Sequence, residues 1–187
     1  MCIKTIRDVN SLINNISKAY QPEYLFFWGH QRRKDGRIGK QCLSQWWPCT
    51  FTIDRISYRS AEQFVMAEKA RLFGDEEKLA EILQASGPAE AKKLGREVSG
   101  FEEDDWEKRR GDFAVRANEA KFGQNQELKA YLLGTEAKVL VEASPADLVW
   151  GSGLVESDPG AKDPRQWRGL NLLGFALMEV RERLLIR

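Results

Sequence analysis

Glu62 and Lys69 stand on what reads as an apolar helix face. At about 100° per residue, Glu62, Met66, Lys69 and Phe73 fall within roughly 60° of one another. Val65, Ala70 and Leu72 flank them, and Gln63, Glu68 and Arg71 lie opposite. Two turns separate the carboxylate and the amine by roughly 10 Å along the axis, beyond the reach of a surface i,i+4 pair. Burying both without partners is costly. Either both side chains snorkel to water at a domain edge, or they line a pocket. In a pocket, a carboxylate and a desolvated lysine suit acid–base work or attack by an amine.

Composition removes most other chemistries. The chain has 187 residues, which sets a prior of one domain with a sizeable core. A single histidine excludes multi-His metal sites and leaves His30 as the one base for any Ser-His-Asp triad; a structural role for it is the simpler reading. Cys2, Cys42 and Cys49 are an odd set without CxxC spacing, so neither a zinc knuckle nor a disulfide scaffold is indicated. No metal or cofactor is expected. The balance of 29 Lys+Arg against 28 Asp+Glu argues against holding nucleic acid by bulk charge, while leaving room for local patches. No apolar run is long enough to span a bilayer, and the N-terminus lacks a signal-peptide core. The expected location is a reducing cytosol.

Six tryptophans are many for this length. Trp46-Trp47-Pro48 and Val149-Trp150-Gly151 stand at element ends beside turn formers, where an indole can stack on a flat ligand or simply fill the core. Five cations fall between Arg32 and Lys40, Arg32 and Arg33 leading them. They suit phosphate contacts, or they are merely solvated.

Elements that must position these residues follow from local signals. Asp8 can cap a helix reaching about Tyr20, ended by Gln21-Pro22. Tyr24–Trp28 reads as a strand, and Cys49–Ile53 with Ile56–Tyr58 as a hairpin turning at Asp54-Arg55. Ser60 with Gln63 fits a capping box opening a helix to Phe73, stopped by Gly74. Further helices are expected at Asp75–Ala85, Pro88–Gly95, from Asp104 or Asp105 through Ala120, Gln126–Leu133, Glu136–Ala143 and Leu170–Leu185. Gly151–Pro164 reads as a flexible loop, able to act as a lid. The expected fold class is α+β: a helix-dominated single domain with a small N-terminal β-sheet, residues 1–22 forming a helical part of the same domain as 23–187.

The run from Tyr58 to Lys69, with Ser60-x-Glu62-x-Phe64 and Ala67-x-Lys69, resembles the signature helix of the NADAR family. Phe27-Trp28-Gly29-His30, Leu43–Trp46, Asn118-Glu-Ala-Lys121-Phe122, Asp147-Leu-Val-Trp150-Gly151, Asn171-Leu-Leu-Gly174 and Leu177–Arg181 follow in the family's order. The resemblance covers about Leu25 to Leu185. Departures fall in loops: the family's Ser-Asn-Phe reads Ser44-Gln45-Trp46, and the stretches Gln31–Cys42 and Gly151–Gln166 are long. They bear on substrate identity more than on reaction class.

The resemblance implies an N-glycosidase, a hydrolase of the bond between a ribose anomeric carbon and a nitrogen. It offers two substrate classes: ADP-ribose attached to guanine in DNA or RNA, and the ribosylamino phosphates of riboflavin biosynthesis. A non-catalytic ADP-ribose-binding module is the alternative from another class, and it has no need of Glu62 and Lys69 together. By the family match Glu62 does acid–base or electrostatic work beside the ribose. Lys69 is a proton donor or an amine forming a Schiff base at C1′, Asp147 holds ribose hydroxyls, and Trp106 stacks. Trp28, Gly29, Trp150 and Asn171 are candidates for the pocket wall.

Overall fold

The computed structural model describes residues 6–17 and 19–186; Cys2 and Lys18, both within the segments read above, lie outside them. Chain order runs α1 (Val9–Asn15), β1 (Tyr24–Phe27), β2 (Phe51–Ile53), β3 (Ile56–Tyr58), α2 (Ala61–Leu72), α3 (Glu76–Gln84), α4 (Pro88–Arg96), α5 (Glu103–Gln124), α6 (Gln126–Leu133), β4 (Val139–Glu142) and α7 (Leu172–Ile186). Short 3-10 turns lie at Lys40–Leu43 and Pro164–Gln166.

Local chemistry accounts for most boundaries. The Ser60 hydroxyl accepts the Gln63 amide at 3.1 Å to open α2, and Gly74 leaves it at φ +70°. The box is not reciprocal: the Gln63 side chain accepts from Arg59 N–H and donates to the carbonyls of Ile82 and Leu83, tying α2 to α3. Asp75 caps α3, and Pro88 begins α4. Asp54 and Arg55 take the left-handed conformation without glycine, φ +50° and +66°, with Asp54 paired to Arg116 of α5.

Helix α2 is the hub, packed against α3, α4 and α5, and residues on both its expected faces, Gln63 and Glu68 included, are buried. Its polar side is therefore not a solvent face: it is covered by α3 and by Arg71 and Arg116, which pair with Glu68.

Four expectations are corrected by the fold. Helix α1 ends at Asn15 instead of Tyr20. Helix α5 starts at Glu103, so Asp104 and Asp105 sit inside its first turn, where they favour the helix dipole without capping it. Leu170 lies ahead of α7 and is 47% exposed. The stretch Glu136–Ala143 is not a helix: Val139–Glu142 forms β4, in parallel register with β1 from Tyr24↔Val139 to Phe27↔Glu142. A three-residue apolar run carries no periodicity that separates helix from strand, and pairing with a distant partner decided it. The small sheet thus joins the N-terminal β1 to a late strand, while β2 and β3 form their own hairpin.

Candidate active site

Beside the C-terminal ends of β1 and β4 lies a cleft of about 540 Å³, walled by α4 on its far side. Trp28, Gly29, His30 and Trp46 line it from the β1 end and the following loops, Lys92, Lys93 and Arg96 from α4, and Glu142, Ser144 and Asp147 from β4 onward. A second cleft of about 400 Å³ shares Lys92, Arg96 and Asp147 and continues over Phe101, Trp106, Arg110 and Trp150.

Glu62 itself lines neither cleft: it is buried to 2% exposure behind Lys92, whose Nζ lies 3.2 Å from its Oε1. The approach is that of an ion pair, off the direction of a good hydrogen bond, which leaves Oε1 without one. Burial pushes the Glu62 carboxyl above the usual range, and Lys92 and the Trp46 indole pull it back. The backbone around Glu62 is pinned: its N–H donates to the Gln45 carbonyl at 3.0 Å, and the adjacent Ser44 carbonyl accepts from the fully buried Lys121 at 2.8 Å. The Ser44–Trp46 and Asn118–Lys121 segments therefore build one support beneath the cleft.

Lys69 is placed apart from Glu62's carboxyl. Its ammonium donates to the Gly95 carbonyl at 2.8 Å and lies 4.1 Å from the Phe101 ring centroid and 5.7 Å from that of Trp106. Burial, then the nearby Lys92, lowers its pKa. It lines neither cleft.

The other expected residues divide. Asp147 lies where the clefts join, its Oδ1 accepting from Val149 and Trp150 N–H at 3.0 and 2.7 Å. Trp106 and Trp150 line the second cleft; Gly29, at φ +75°, and the 59%-exposed Trp28 line the first. Asn171 is fully buried and reaches neither. Its Oδ1 accepts Glu142 N–H and its Nδ2 donates to Leu140 C=O, both at 2.9 Å, so it clamps β4. Arg32 lies over the Trp47 ring and Arg33 pairs with Asp35, both outside the clefts. The cations that do face them are Lys92, Lys93, Arg96 and Arg110.

Glu142 and Lys92 were not singled out from sequence. Lys92-Lys93-x-x-Arg96 on a short helix, and an acid closing the buried run Val139–Val141, were the available signals. Burial pushes the Glu142 carboxyl up to about 8, with Asp147 and Glu62 adding to it and Lys92 opposing. Among the described residues no group of His, Cys, Asp and Glu is arranged to hold a metal ion, and no helix is long and apolar enough to cross a membrane.

A profile of the NADAR domain matches residues 26–185. The chain belongs to the NADAR family. Similar proteins include N-glycosidase R617 of Acanthamoeba polyphaga mimivirus, 39% identical over 165 residues, covering 86% of this chain and 95% of that protein. N-glycosidase YbiA of Escherichia coli K12 is 34% identical over 140 residues, 75% of this chain and 78% of YbiA. The maize chloroplastic riboflavin biosynthesis protein PYRR is 41% identical over 109 residues, 56% of this chain but 16% of that protein. The NMR structure of E. coli YbiA superposes with a TM-score of 0.71 at 29% identity, covering 89% of this chain and 88% of YbiA. This NADAR domain shares YbiA's helix-rich α+β fold.

Proposed function

We propose that this protein removes ADP-ribose from ADP-ribosylated guanine in nucleic acid, acting in the cytosol. As a NADAR protein aligned along most of its length with N-glycosidases, it is a hydrolase of N-glycosidic bonds. The proposal concerns the substrate and the residues. The observation that carries it is the pair of joined clefts, which meet at Asp147 and Lys92 and are edged by the cations of α4. One cleft holds the ribose whose bond breaks. The other offers the Trp106 indole as a stacking wall for a base, and Lys92, Lys93 and Arg96 offer a diphosphate three charges.

As the C1′–N bond breaks, positive charge develops on the ribose ring. The Glu62 carboxylate, paired with the Lys92 ammonium, stabilises that charge, and Asp147 orients ribose hydroxyls. Lys69 acts indirectly: it holds the end of α4 through Gly95 and braces Phe101 and Trp106. The second reading, cleavage of ribosylamino phosphates, is favoured by the likeness to the riboflavin biosynthesis protein PYRR.

The test is incubation with an ADP-ribosylated guanine oligonucleotide and, separately, with a ribosylaminopyrimidine phosphate, following release by mass spectrometry. Faster release of ADP-ribose is expected. Release from the pyrimidine phosphate alone selects the second reading, and release from neither overturns both.

A further inference from the structure

Glu142 occupies a position that neither sequence motif nor family resemblance assigns. It is the last residue of β4 and lines the first cleft opposite α4. Among the described residues no hydrogen bond or ion pair reaches its carboxyl group, and Oε2 is shut off from solvent without a donor. The residue is half-buried, with Oε1 outside the sealed region, so an ionised carboxylate would leave Oε2 without a donor, whereas a neutral acid tolerates the site better.

Its surroundings reinforce this. Glu62 comes from α2, Lys92, Lys93 and Arg96 from α4, Asp147 from the loop after β4, and His30 from the loop after β1. Glu62 already holds the Lys92 ammonium at 3.2 Å, and Asp147 adds a further negative charge. The backbone of Glu142 is fixed on both sides, its N–H by Asn171 at 2.9 Å and its carbonyl by Ser152 N–H at 2.9 Å. A side chain on so rigid a strand end is held in one place.

We propose that Glu142 is the general acid of the N-glycosidase reaction, donating its carboxyl proton to the departing nitrogen. This rests on the N-glycosidic reading above. The C1′–N electron pair leaves with the nitrogen, which takes the Glu142 proton, so the base departs neutral and Glu142 becomes a carboxylate. Water then adds to C1′ and its proton passes to Glu142, restoring the acid and completing hydrolysis. Two carboxyl groups thus take opposite roles: the Lys92 ammonium favours the charged form of Glu62, and no cation is paired with Glu142, which serves as the acid. The rise of the Glu142 carboxyl to about 8 agrees with this division.

The test uses the full chain carrying ¹³C-carboxyl glutamate, wild type and Glu142→Gln, with the better of the two ribosides as substrate. One glutamate resonance should titrate near 8 and vanish in Glu142→Gln. Wild-type kcat should fall as pH rises through that value; Glu142→Gln should lose about 10²- to 10⁴-fold at neutral pH and show no alkaline limb. Glu142→Asp, which keeps an acid, should retain that limb at reduced rate. If no glutamate titrates above pH 7, or if active Glu142→Gln keeps the wild-type profile, the proposal fails while the N-glycosidase reading stands. A wild type inert towards both ribosides overturns that reading and this proposal with it.

Discussion

Lys92 Nζ lies 3.2 Å from Glu62 Oε1, so the buried carboxylate of α2 is neutralised by α4 and not by Lys69 on its own helix. The pair crosses the interface between the two helices, so the charge balance around Glu62 depends on how closely they pack.

Replacing Lys92 with Met should therefore leave Glu62 without its cation. Burial is then opposed only by the Trp46 indole, and the Glu62 carboxyl rises further above its ordinary value. The acid limb of the kcat profile should move to higher pH, and urea denaturation should show a loss of roughly 2 kcal/mol at neutral pH. Glu62→Gln should abolish turnover with an unchanged circular dichroism spectrum; full activity in that variant would remove Glu62 from the reaction.

Helix packing at this interface depends on Gly95. A Cβ there would run into Met66 Sδ and lie 2.8 Å from Met66 Cγ, so a larger residue at 95 must displace the Met66 side chain of α2. Gly95→Ala should destabilise the fold by about 1–3 kcal/mol and slow turnover by displacing Lys92. Combining it with Met66→Ala should recover part of the loss, and a double-mutant cycle showing strict additivity would contradict the close approach.

The Lys69 ammonium is committed to the Gly95 carbonyl and to the Phe101 face. Borohydride added during turnover should leave no covalent adduct on Lys69. Lys69→Met should lower kcat by about tenfold, roughly 1.4 kcal/mol of barrier, through movement of α4. A trapped adduct on Lys69 would instead establish amine attack at C1′.

Asn171 adopts φ +51° and spends both ends of its amide on β4. Asn171→Ala should cost about 2–4 kcal/mol, since two buried backbone groups lose their partners. Equilibrium denaturation measures this. The activity of the surviving folded protein should fall as well, because the Glu142 amide is one of the two groups released.

Glu142 also sets a pH dependence of stability. Its pKa is raised from 4.5 to about 8 on folding, so between those values the folded state holds a proton that the unfolded chain has lost. Its contribution is therefore full below pH 4.5 and is lost as pH rises through about 8. Wild type should lose stability over that window by up to about 1.4 kcal/mol per pH unit. Glu142→Gln should flatten the slope and melt higher than wild type at pH 9, a gain in stability at the expense of activity. Parallel melting curves at pH 5 and pH 9 would contradict the assignment.

Which elements were legible beforehand follows the range of the forces that make them. Ser60, Gly74, Asp75 and Pro88 mark their helix ends by contacts within a few residues, and the Leu173–Leu177–Val180–Leu184 spacing of α7 needs only its own period. Glu62 was conspicuous for the same reason: a carboxylate breaks a local apolar pattern whether or not its partner is known. Strand β4 and the roles of Arg32 and Arg33 were illegible, since three apolar residues or a basic loop take their meaning from what lies beside them.

By itself, then, the sequence determined the helical scaffold, the family, and the presence of a carboxylate where the core should be apolar, because capping, periodicity and motif order are written along the chain. The tertiary structure alone decided that Lys92 and not Lys69 would neutralise Glu62, and that β4 would bring Glu142 beside them unpaired. Those outcomes depend on which charges share a desolvated space, and only the packing of α2, α4 and β4 creates that space.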